Sequence, residues 1–182
     1  MKNGIGAFIS ETAQNEHREY LVNLKHKANI WKKSGIAVVG ASDREIFSLR
    51  LSRQEKESLI ELRDEIKLHE IYFDSFRFSY MPSVLVKKSF GSENNFAYEL
   101  SRLAKVSKAN FISVYVDKYN KVGFCEGAQI PFGASVKLAL DICEHAYFRD
   151  YGFNKEKYIR SAVAHLNLAK LAPPSENITK KD

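Results

Sequence analysis

From Ser10 to about Trp31 the chain contains neither proline nor glycine, and apolar residues recur at Ala13, Leu21, Leu24, Ala28 and Trp31. That spacing lines one face of a helix, with Ser10 placed as its N-cap. Gly35 and Gly40 punctuate its end, and a second periodic run extends from Ser52 to about Phe76 with Leu59, Leu62, Ile66, Phe73 and Phe76 on one stripe. The two runs pair as an antiparallel helical hairpin. At Tyr80-Met81-Pro82-Ser83 the pattern breaks, because the residue before a proline is pushed out of helical geometry. The lobe boundary falls there, giving a hairpin lobe over 1–80 and a second lobe over 81–182.

In the second lobe, Asn94 to Ala104 reads as a helix, and Phe111-Ile112-Ser113-Val114-Tyr115-Val116 is β-branched and aromatic, as strands are. Asp117-Lys118-Tyr119-Asn120 forms a tight turn into a second strand, Lys121 to Glu126. A third strand, about Lys137 to Asp141, leads into the segment Glu144 to Tyr151, and a last helix covers Lys155 to Lys170. The tail from Ala172 to Asp182 is expected to fray. A helical hairpin followed by a three-stranded antiparallel sheet with helices is an α+β arrangement.

Composition narrows the class without choosing a function. With 45% hydrophobic and 27% charged residues in 182, the chain is a folded protein rather than a disordered or linker-like one. Its apolar stretches fall short of the roughly 20 residues that span a bilayer, so no membrane segment is expected. Cys125 and Cys143 stand apart in a chain with no export signal at its start, which fits a reducing cytoplasm and thiols with a structural role. The net charge of +6 is scattered among acids, with no recognition helix or aromatic platform, so it draws small anions rather than nucleic acid.

Two histidines, His17 and His69, lie on the apolar stripes of the hairpin helices. Each alone reads as a hydrogen-bonded core residue. Together they place two polar rings in one apolar interior, where burial without partners is costly and a shared metal ion would satisfy both. In Asp141-Ile142-Cys143-Glu144-His145 a carboxylate precedes an imidazole by four positions, a spacing from which both can meet one ion. The alternative for Asp141 is a helix cap.

Asp141-Ile142-Cys143-Glu144-His145-Ala146-Tyr147-Phe148 resembles the D-x-W-E-H-A-Y-Y signature of the iron/manganese superoxide dismutases. Asp150-Tyr151 and Lys157-Tyr158 resemble that family's downstream D-Y and K/D-Y positions. Phe90-Gly91-Ser92 with Phe96 is similar to its F-G-S-x-x-x-F helix, and Leu68-His69-Glu70-Ile71-Tyr72-Phe73 to its N-H-x-x-Y-W segment. Ile9-Ser10 stands eight residues before His17, the spacing of the family's first metal histidine. The resemblance covers about residues 9 to 171. It implies one iron or manganese ion held by His17, His69, Asp141 and His145, two ligands from each lobe. Three neutral imidazoles and one carboxylate leave a trivalent ion with a positive remainder that attracts an anion.

The departures from the family pattern lie around the ligands. Lys25, with His26 beside it, replaces the gateway tyrosine. Leu21 and Phe148 are both apolar where the family has a histidine and a tyrosine bonded across a dimer, and losing both avoids an orphaned polar group. Cys143 and Phe111 stand for two tryptophans. Gln129 and Glu65 occupy the manganese-type and iron-type places of the outer glutamine that tunes the ion. Gln129, Glu65, Lys25 and His26 are accordingly the candidate catalytic residues around the metal.

The expectation is a cytoplasmic superoxide dismutase acting as a homodimer, with Glu144 and His145 at the interface. Two rivals remain: a relative that uses its metal to oxidise an organic substrate, which needs a pocket larger than a diatomic ion, and a non-catalytic scaffold that merely retains the histidines.

Overall fold

The computed structural model describes residues 4–77 and 82–172, so the proline break expected around Tyr80 and the tail beyond Ala172 lie largely outside the described residues. Helix α1 spans Glu11–Lys33, and the Ser10 hydroxyl accepts the Ala13 N–H at its start. Its far end closes with paired bonds, Gly35 N–H to the Lys32 carbonyl and Ile36 N–H to the Trp31 carbonyl. Gly35, at φ 81°, supplies the left-handed residue that such a closure requires. A short helix α2, Asp43–Ser48, follows, and α3 spans Arg53–Asp74. Both begin with a reciprocal capping box, Ser42 with Glu45 and Ser52 with Glu55, which fixes their first turns. Helices α1 and α3 run antiparallel: the His17 ring meets that of Phe73, while Trp31 and Gln54 face one groove at the opposite end.

Helix α4 covers Val84–Phe90 and α5 Glu93–Val106. Then come β1, Phe111–Val116, β2, Val122–Glu126, and β3, Ser135–Asp141. The sheet is antiparallel with β1 in the middle, Val114 standing opposite Phe124 on one side and Leu138 on the other. The Asp117 carboxylate accepts the N–H groups of Tyr119 and Lys121, and Asn120 takes φ 57°, so the β1–β2 turn is built by its own side chains. A Cβ at Gly123 would lie 2.5 Å from the tip of the Tyr115 ring, so any larger residue there would have to displace that ring.

Helix α6, Glu144–Tyr151, starts three residues after β3 ends, and α7 covers Lys155–Ala164. The expected continuation of α7 to Lys170 does not occur. Phe76 and Leu166 form an antiparallel bridge instead, with Arg77 N–H bonded to the His165 carbonyl and Asn167 N–H to that of Ser75. This tertiary pairing ends the helix, and a 3-10 turn, Leu168–Leu171, follows among the described residues.

One large core joins the sheet, α5, α7 and the C-terminal half of α3. A second, smaller cluster of Leu24, Ala28, Val38, Ile46, Leu59 and Ile66 fills the outer part of the hairpin. The Ser75 hydroxyl accepts the Ala139 N–H at 2.9 Å and ties the end of α3 to β3. Among the described residues no helix is long and apolar enough to cross a membrane.

Candidate metal centre

Asp141 is the last residue of β3, fully buried, and every one of its oxygens is engaged. Its Oδ1 accepts the Cys143 N–H at 2.9 Å where the chain bends toward α6; the N-cap of that helix is Cys143, so Asp141 is not its cap. Its backbone carbonyl accepts the Tyr158 hydroxyl at 2.7 Å, and the Tyr72 hydroxyl lies 3.3 Å from that of Tyr158. Oδ2 is left to face three imidazoles. It lies 3.1 Å from His17 Nε2, 3.4 Å from His69 Nε2 and 3.0 Å from His145 Nε2. The strand-to-helix bend between Asp141 and His145 brings the third ring, that of His145, over the carboxylate from the C-terminal lobe. The hairpin supplies the other two.

The inner face of the hairpin orients its histidines. His69 Nδ1 donates to the Glu65 carbonyl at 2.8 Å, which leaves the Nε2 lone pair of the neutral ring aimed inward. Burial, partly opposed by Asp141, lowers the His69 pKa and keeps that ring neutral. Phe111 meets His69 edge-on at 4.8 Å, and Tyr72 and Phe73 pack on His17, so apolar rings exclude water from this side. His145 is the ligand candidate with an open edge. Burial lowers its pKa, but the bond and charge of Asp141 outweigh this and hold it up to about 10. Burial raises the Asp141 pKa, and the His145 and His17 rings more than reverse that, holding the carboxyl below the usual range.

Hydrogen bonds alone do not satisfy this cluster. His17 Nε2 is buried and, although near Oδ2, is misaligned for a bond and has no hydrogen-bond partner. His69 Nε2 and His145 Nε2 face each other at 3.3 Å. One ligand atom from each of His17, His69, Asp141 and His145 lies within 4.8 Å of all the others. Three imidazole nitrogens and one carboxylate oxygen converging on a point, one of them orphaned, fit a transition-metal ion.

The other sequence candidates are dispersed. Glu65 is half-buried and accepts the Tyr20 hydroxyl at 2.8 Å. Lys25 pairs with Glu70 at 2.6 Å on the hairpin flank, and His26 is exposed beside Asn29 and Lys33. Gln129 is exposed in the loop after β2, in a groove it shares with Phe111 and Glu65. Cys143 and Cys125 are free and half-buried.

Sequence reading missed Tyr20. Its ring stacks on His145 at 4.4 Å and 26° and lies 5.4 Å from His69. The available signal was helical spacing: Tyr20 stands one turn after His17 on α1 as Glu65 stands one turn before His69 on α3.

A cluster of three histidines and one aspartate, all buried but His145 and built from a helical hairpin and a three-stranded α+β lobe, has the donor set of a metal-binding class of protein. The family model for the C-terminal domain of iron/manganese superoxide dismutases matches residues 83–173, half of the chain. The chain belongs to the iron/manganese superoxide dismutase family. No curated protein matches it.

Proposed function

We propose that the chain is a superoxide dismutase, converting superoxide to dioxygen and hydrogen peroxide at one iron or manganese ion held by His17, His69, Asp141 and His145. The observation that carries this reading is the convergence of these four side chains around an unsatisfied His17 nitrogen. A bound iron or manganese ion would supply the one-electron exchange that both halves of the reaction need. The chain's own residues do the rest. Asp141 supplies the single negative charge among the four, and the Tyr158 and Cys143 bonds hold it in place. The Glu65 carbonyl fixes the His69 tautomer, and Phe111 and Phe73 keep bulk water off the rings. A second copy of the chain covering the open edge of His145, with Glu144 reaching across, belongs to the same reading.

Elemental analysis with a superoxide assay tests this proposal. About one iron or manganese per chain is expected, with activity that His69→Ala abolishes together with the metal. A fully metallated protein without dismutase activity would overturn the enzymatic claim.

One observation favours a second reading, oxidation of an organic substrate. A groove of about 620 Å³ between α1 and α3 reaches Tyr20 and Glu65 at its inner end, a volume suited to an organic molecule rather than a diatomic ion. Oxygen consumption driven by an added organic reductant, in protein inactive on superoxide, would select it.

A further inference from the structure

The α1–α3 groove and the metal-ligand cluster meet at two side chains. The groove is walled by Leu24, Trp31, Leu59 and Leu62, and none of the four ligand candidates lines it. Tyr20 does line it, and its other side is the ring face stacked on His145 and inclined to His69. Glu65, also in the groove wall, accepts the Tyr20 hydroxyl from the facing helix at 2.8 Å. A ring pinned at its hydroxyl by one helix and rooted in the other cannot swing without breaking a charge-assisted hydrogen bond. The Lys25 side chain lies elsewhere, paired with Glu70 on the hairpin flank.

We propose that Tyr20, pinned by Glu65, is the specificity-determining gate of the centre: its ring bars the groove from the ligand cluster, so that ligands of organic size are excluded while small ions pass. Tyr20 is a positioning residue here, acting through access and through the orientation of His145. The size limit of the proposed reaction then lies in one ring rather than in the groove. Removing the ring joins the groove to the ligand nitrogens.

The first test needs no metal and is independent of the proposed activity. His69 is fully buried in the intact protein, with the Tyr20 ring centroid 5.4 Å from its own. Metal-stripped protein is treated with diethyl pyrocarbonate and each histidine is followed by mass spectrometry. In Tyr20→Ala the His69 modification rate should rise at least about tenfold, while His17, packed on Tyr72 and Phe73, stays protected. Glu65→Ala keeps the ring but frees it, and should give a smaller rise. Glu65→Gln, which still offers an acceptor oxygen, should restore protection. An unchanged His69 rate in Glu65→Ala and Tyr20→Ala overturns the proposal, and so does equal exposure of His17 and His69, which signals general loosening. If Tyr20→Ala does not fold, the Glu65 pair decides alone.

The second test rests on the proposed metal site and reads ligand binding, not turnover. In iron-loaded protein, optical titration should show catechol affinity at least about tenfold higher in Tyr20→Ala than in the parent, with azide affinity little changed. Catechol binding equally well to both overturns the gate. Failure of every variant to take up iron would count against the metal site, while the His69 result still judges the gate.

Discussion

The two lobes present their ligands in different ways. In the C-terminal lobe Asp141 ends a sheet strand inside the large core, with its carbonyl, Oδ1 and Oδ2 each committed to a named partner. In the hairpin, His69 has one orienting bond, while His17 is packed by rings and lies 3.1 Å from Asp141 Oδ2 with its inner nitrogen without a hydrogen bond among the described residues. The family match covers the first of these regions, and the second carries Tyr20, Glu65 and Lys25 around the same centre. The carboxylate anchor is thus hydrogen-bonded into a rigid frame, whereas the hairpin sets its rings through helix packing and is free to vary what surrounds them.

If the hairpin's outer cluster serves only to hold two helices together, Leu59→Ala should cost about 2–5 kcal/mol, as a buried leucine truncation does, and leave metal stoichiometry unchanged. Urea unfolding with metal analysis checks both; lost metal at modest destabilisation would show that the outer hairpin sets ligand geometry. Within the C-terminal lobe, Tyr158→Phe removes the donor to the Asp141 carbonyl and should cost about 1–3 kcal/mol. Metal affinity should weaken roughly 10–100-fold, as for an outer partner of a ligand. An equal loss of affinity from Leu59→Ala would erase the contrast between the lobes.

The pH dependence sharpens the contrast further. In metal-stripped protein the His145 pKa is raised from 6.5 to about 10, so its charged form stabilises the fold fully below pH 6.5 and this contribution fades as pH rises toward 10. A metal must displace that proton. Affinity should therefore rise about tenfold per pH unit between neutrality and pH 10 and then level off, with one proton released per ion at neutral pH in calorimetry. A flat profile would mean that His145 is already neutral. The smallest effects belong to the flank: Lys25→Ala and His26→Ala should change stability by no more than about 1 kcal/mol and leave metal content intact. Metal loss in either would return those residues to the centre.

Much of this was legible in the residue pattern. The hairpin stripes, the strand composition of Phe111 to Val116 and the carboxylate-to-imidazole spacing of Asp141 and His145 are local signals, and the structure agrees with each. Helix α2 was overlooked although Ser42 and Glu45 spell a capping box, because its six residues are too few to show a period. The end of α7 was not legible, since nothing local stops a helix at His165; the bridge from Phe76 does. Tyr20 stands one turn after His17, but the contacts that give it a role cross from α1 to Glu65 on α3 and His145 on α6, which spacing along one helix does not show.

The most direct measurement is metal stoichiometry combined with X-ray absorption on purified protein and on Asp141→Ala. One iron or manganese per chain, bound by three imidazole nitrogens and one carboxylate oxygen and lost in Asp141→Ala, is the predicted result. An ion without imidazole ligands, or full metal content in Asp141→Ala, would contradict it.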